Sequence, residues 1–117
     1  MDKRISEVRA SSGAVVCDRC LIADTPWLRM RGLLGRSELP ADEGILLRPA
    51  SSIHMFFMGF PIDAVFLARD LTVVRVVSRL APWRFAAQRG AHAVLELSAG
   101  TCERSGVHEG DRLSLST

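Results

Sequence analysis

Chemistry-bearing side chains crowd into one stretch, IHMFFMGFPID, at residues 53–63. His54, Met55 and Met58 supply an imidazole and two thioethers, a set that suits a soft ion such as Cu(I). As a strand, the stretch sends alternate side chains to opposite faces. His54, Phe56 and Met58 then share one face, and Met55 and Phe57 the other. The two sulfurs point apart, and His54 and Met58 are too widely spaced for easy chelation. No metal is expected, and the methionines and phenylalanines are expected to fill core on both faces.

Cys17-x-x-Cys20 invites a redox or zinc reading. A redox CxxC opens a helix, whose dipole lowers the thiol pKa. Here the flanks AVV and LIA predict a strand, with Cys17 and Cys20 on opposite faces. Cys102 has no evident histidine partner, and three cysteines do not make a disulfide scaffold. All three are expected as buried structural thiols. There is no G-x-S-x-G, no phosphate loop and no H-E-x-x-H, so no catalytic set is visible and no cofactor is expected.

Charged residues in apolar surroundings are more informative. Residues 25–34 wound as a helix place Arg31 inside the arc of Trp27, Met30 and Leu34, with Arg29 on the solvent side. A buried guanidinium needs an acid. Asp63 shares a strand face with Val65 and Leu67, and Glu96 stands among Val94, Leu95 and Leu97. Arg31 is expected to pair with one of them, Asp63 foremost. Such a pair either specifies the fold or borders a ligand cleft. The segment APWRF, 81–85, joins a stiff Pro82, the flat face of Trp83 and the forked donor of Arg84. That trio could stack on a ring and hold an acid. Five arginines against one acid between residues 69 and 89 favour an anionic partner. His92 and His108 are expected to be exposed; His54 is the histidine of interest.

These residues need a scaffold. The chain has 117 residues, 48% hydrophobic and 24% charged, enough for one domain with a real core. A net charge of +2 argues against nucleic acid as partner. No apolar run reaches the ~18–20 residues of a membrane span, and no signal peptide is visible, which predicts a cytoplasmic monomer. Residues 1–13 read as a flexible arm and 14–117 as one globular domain. Strands are predicted over 14–23, 45–48, 53–58, 62–68, 72–78, 93–98 and 112–116. Short helices are predicted over 24–35, with Thr25 as cap and Pro26 in the first turn, and over 99–106, stopped by Gly106. Residues 79–90 read as a long connection. About seven strands and two helices make a mostly β fold, a barrel or a two-layer sandwich.

The helix RMRGLLGR (29–36), the segment IHMFFMGFPIDAVFLARDLTVVRVV (53–77), the APWR that follows and AVLELSAG…GVHEGDRL (93–113) together resemble a small prokaryotic family, domain of unknown function 192. Departures are minor: the turn reads ARDL, and Ser98 stands at a frequent proline position. The resemblance implies a compact jelly-roll or barrel-like fold with small helical additions, and no activity. Its recurring residues map onto Arg31, Gly32, Met58, Pro61, Asp63, Glu96 and Gly100. Many relatives are exported, which this chain's N-terminus does not suggest. The favoured expectation is a non-enzymatic binding or accessory domain for a small polar or anionic ligand or a peptide. Its candidate site residues are Arg31, His54, Met58, Asp63, Trp83, Arg84 and Glu96. The alternatives are an acid–base enzyme built on Asp63, Glu96 and His54, and a structural partner in a larger assembly.

Overall fold

The segments IDAVFL, AVLELS and EGILL are almost free of turn formers and rich in branched apolar residues, as strands buried on both faces must be. In a computed structural model, described over residues 4–25 and 36–116, they form the middle of one sheet. The elements are β1 (Arg4–Arg9), β2 (Val15–Ala23), β3 (Glu43–Leu47), β4 (Ser52–His54) and β5 (Ile62–Leu67), followed by β6 (Val73–Leu80), β7 (Phe85–Ala87), β8 (Ala93–Ser98), the helix α1 (Thr101–Ser105) and β9 (Ser114–Ser116). Seven strands pair in the order β6-β5-β8-β3-β2-β1-β9. Among the described strands only β2 and β3 run parallel. β4 and β7 form a separate two-stranded layer.

The sheet curls. One apolar cluster joins Val73 at one edge, Val65, Leu95 and Leu97 in the middle, and Val8 at the far side. A flat sheet of this width could not bring those side chains together. The edges meet at a single bridge, Thr72 to Arg112, beside a bond from the Leu113 N–H to the Leu71 carbonyl at 3.0 Å. The sheet is therefore rolled but not a closed barrel. Its other face packs Ile45, Leu47, Ile62, Phe66 and Val94 against Ile53, Met55, Met58 and Ala86 of the small layer.

The mostly β architecture expected from the sequence holds, with three local differences. The segment read as a flexible arm contains β1, which pairs with both β2 and β9. Its buried positions alternate, Ser6 and Val8, so it adds a strand where only polar composition was visible. The connection 79–90 contains β7, three residues that pair with β4. The strand foreseen over 53–58 ends at His54. Residues 26–35 of the first predicted helix lie outside the described residues. The second helix forms as foreseen, with Gly106 closing it at φ 74. Among the described residues no helix is long and apolar enough to cross a membrane.

Candidate functional site

The end of β4 is where side chains that a core would normally absorb are turned outward. The Met58 N–H donates to the Met55 carbonyl at 3.2 Å, closing a turn over Phe56 and Phe57. Met55 and Met58 therefore return to the same buried cluster, instead of pointing to opposite faces. The turn interrupts the period-2 alternation from which opposite faces were expected. Phe56 and Phe57 are displaced to the surface, 42% and 77% exposed. Met58 stays a buried floor residue, and its thioether is not offered to solvent.

β7 completes the surface. His54 lies opposite Phe85 in the β4–β7 register. Trp83 precedes β7, and its N–H donates to the Met55 carbonyl at 2.7 Å, which ties the APWRF segment to the turn. Trp83 and Phe85 are 60% and 64% exposed. The rings form a continuous array. His54 stacks on Phe56 at 4.8 Å, Phe56 on Trp83 at 6.1 Å, and Phe57 meets Trp83 edge-on at 5.0 Å. His54 Nδ1 accepts the Phe56 N–H at 3.4 Å, which orients the imidazole. Together these rings leave on the order of 500 Å² of aromatic surface open to water, at the upper end for a monomer's largest apolar patch.

The backbone is strained to achieve this. Phe57 and Trp83 have φ of 66° and 68°, in the left-handed region that bulky residues avoid. Each such residue costs on the order of 1–3 kcal/mol and persists only where surrounding bonds over-determine it. The three Met55 backbone bonds, with Met58, Trp83 and Arg84, are those constraints. Arg84 is exposed between Trp83 and Phe85, and its carbonyl accepts the Met55 N–H at 2.7 Å.

The acids foreseen as part of the site sit elsewhere. Asp63 is fully buried, and its register partner is Leu97, whereas Glu96 is opposite Ala64. Neighbouring positions on a strand face opposite ways, so the two carboxyls lie on opposite faces of the sheet. Asp63 is saturated by backbone donors: Arg79 N–H to Oδ1 at 2.9 Å, and Gly100 and Cys102 N–H to Oδ2 at 3.1 and 3.0 Å. It is an internal cap for a turn and a short helix. Glu96 is 5% exposed, and burial pushes its carboxyl up to about 8. Arg31, expected to pair with Asp63, lies outside the described residues. The acid–base set Asp63, Glu96 and His54 is thus not assembled: one acid lies under each face of the sheet, and the histidine is at the surface.

The cysteines are core residues. A register shift lets β1 advance two residues, Ser6 to Val8, while β2 advances three, Cys20 to Cys17. That bulge turns both thiols into one cluster instead of opposite faces. Cys17 Sγ donates to the Asp42 carbonyl at 3.6 Å and Cys20 Sγ to the Leu21 carbonyl at 3.8 Å; the influence of each thiol on the other holds Cys17 below the usual thiol range and, with burial, pushes Cys20 above it. Burial and the nearby Asp63 push Cys102 up to about 12. Among the described residues no cluster of His, Cys, Asp and Glu could hold a metal ion.

Of the foreseen site residues, then, the fold gathers His54, Trp83 and Arg84 at one surface and separates Asp63 and Glu96 from them. Phe56, Phe57 and Phe85 were missed as surface residues. The available signal was the GFP break after Met58, which marks where a regular strand is least able to continue.

Comparisons with known proteins bear on the fold and the family. A protein from Thermococcus sibiricus named "UPF0127 protein" is 33% identical over 111 residues, spanning 91% of this chain and 71% of its own length. A crystal structure from Sinorhizobium meliloti, of a protein provisionally described as a transcription regulator, matches with a TM-score of 0.86 and 29% identity, over 98% of this chain and 96% of that one. A protein of unknown function from Novosphingobium aromaticivorans matches with a TM-score of 0.80 and 27% identity, over 96% and 84%. The model of domain of unknown function 192, described as "Uncharacterized ACR", matches residues 8–115, and the chain belongs to that family.

Proposed function

We propose that this chain is a non-enzymatic binding domain whose aromatic platform stacks a planar, ring-bearing anion. The observation that carries this reading is the exposed ring array of His54, Phe56, Trp83 and Phe57, held at a cost in backbone strain. Exposed aromatic faces offer stacking at little conformational cost, because the rings already stand in place. Arg84 supplies the forked donor for the anionic group, and the arginine excess over residues 69–89 raises the local concentration of anions. The separation of Asp63 from Glu96 by the sheet argues against the acid–base enzyme.

Amide chemical shifts on titration with benzoate and adenosine monophosphate provide the test. Saturable shifts at His54, Phe57, Trp83 and Phe85 are expected. The double variant Phe57→Ser, Trp83→Ser should lose them while keeping its melting temperature within a few degrees, since both rings are largely exposed. Equal binding by that variant, or no saturable shift with either probe, overturns the proposal. Duplex DNA belongs in the same titration, given the description of the Sinorhizobium relative. Salt-sensitive DNA binding without binding of either small probe would replace the proposal with a nucleic-acid surface.

A further inference from the structure

Arg79 is a non-glycine residue at φ 52, and nothing in the aromatic platform explains its strain. Its origin is a bulge. Across β5 and β6, Ile62 pairs with Leu80 and Ala64 with Val77, so Asp63 alone faces Ser78 and Arg79. A bulge leaves a ladder N–H unpaired. Here the Arg79 N–H is taken by Asp63 Oδ1, while Oδ2 of the same carboxylate takes the N–H groups of Gly100 and Cys102. One buried acid thereby clamps the β6 bulge beside the turn that opens α1.

The clamp brings two guanidinium groups together. A Cβ on Gly100 would lie 2.8 Å from Arg104 Nη1 and 3.4 Å from Arg79 Nη2. The two nitrogens are therefore no farther apart than those distances together, and they converge above a residue that has no side chain and a φ of 92°. Arg104 is held in place: its Nη2 donates to Thr101 Oγ1 at 3.1 Å and Ser98 Oγ at 3.5 Å, and those two hydroxyls share a bond of 2.7 Å. Its Nη1 is left over. Arg79 has only the outer contact of Nη2 with Glu103 Oε2 at 4.0 Å, between two largely exposed side chains. Two like charges at this spacing repel, and among the described residues Glu103 is the one acid paired with either guanidinium.

We propose that Arg79 and Arg104 form a site for a phosphate-type oxyanion above Gly100, clamped from below by Asp63. A tetrahedral dianion presents oxygens to two forks at once and cancels both charges, whereas a chloride ion carries one charge and has no pair of oxygens to match a fork. The backbone N–H groups of Gly100 and Cys102 take no part, because Asp63 already occupies them. The site shares no residue with the aromatic platform and stands independently of it.

The test is an amide-shift titration of the intact chain with inorganic phosphate at constant ionic strength, against chloride. Saturable shifts at Arg79, Gly100 and Arg104 are expected with phosphate at concentrations well below any that chloride requires. Arg79→Gln and Arg104→Gln should each weaken binding about tenfold, the loss of one charged donor. Glu103→Gln should tighten it, because the acid competes for Arg79. All three side chains lie at the surface, so unchanged amide spectra elsewhere verify the fold. Glycerol 3-phosphate and phosphatidic-acid vesicles then separate a free ester from a lipid headgroup. Absence of saturable shifts, or equal affinity in the Arg79→Gln, Arg104→Gln double variant, overturns the proposal.

Discussion

Glu96 has no hydrogen-bonding partner shown among the described residues, and its neighbours across the sheet are Ile45 and Ala64. A carboxylate in that setting loses most of its hydration, so the neutral acid is favoured and the carboxyl rises to about 8. In the unfolded chain the group titrates near ~4.3, so between the two values the folded state holds a proton that the unfolded state has lost. Stability is then greatest below the unfolded value and falls as pH rises, by up to about 1.4 kcal/mol per pH unit from this group. The comparison that isolates it is wild type against Glu96→Gln in urea denaturation from about pH 5 to about pH 8. The wild type should lose stability relative to the variant across that window. A constant difference would show that Glu96 ionises normally. At the same scale, His54 and Trp83 were legible as candidates because each is an odd residue in its local setting. The exposure of Phe57 was not, since one left-handed residue reverses the face of everything after it.

At the scale of elements, Asp63 links β5 to the β6 bulge and to the start of α1. Alternation along IDAVFL revealed an acid on an apolar face, and that inference holds, because Asp63 is fully buried. What satisfies it was not visible. Its donors are backbone groups from residues 16, 37 and 39 positions away, and no side-chain pattern announces a backbone donor. Asp63→Asn keeps the shape but supplies one acceptor oxygen in place of two, and turns an N–H toward buried N–H groups. The expected loss is about 2–4 kcal/mol in denaturant unfolding, with faster amide exchange at Arg79, Gly100 and Cys102. A loss under about 0.5 kcal/mol, typical of surface positions, would mean that the clamp carries no weight. The short layer of β4 and β7 is also an element-scale product. Neither three-residue strand would be stable alone, and each forms because Ile53 and Ala86 pack onto the main sheet.

For the whole molecule, the curled sheet sets a gradient of stability. β5 is buried along its full length and paired on both sides, and β8 and β3 continue that centre. β4 and β7 pair only with each other, and β9 is a three-residue edge. Native-state hydrogen exchange should therefore be slowest in β5, β8 and β3, and fastest in β4, β7 and β9. Exchange in β7 as slow as in β5 would mean that the aromatic platform belongs to the global folding unit. The expected order instead makes the β4–β7 layer a local unit that opens without unfolding the sheet beneath it.

The sequence by itself determined the family, the mostly β class, the central strands and the stop of α1 at Gly106. These rest on local information: period-2 alternation, residue preference and the conformational freedom of a glycine at a helix end. Tertiary structure alone decided that β1 joins the sheet and that Cys17 and Cys20 face the same core. It also decided that Asp63 is capped by backbone, and that the phenylalanines of the 53–63 stretch stand in water with Trp83. Each of those outcomes depends on a bulge, a turn or a pairing partner distant in the chain. One residue of slip there exchanges core for surface, and alternation within a single strand carries no record of it.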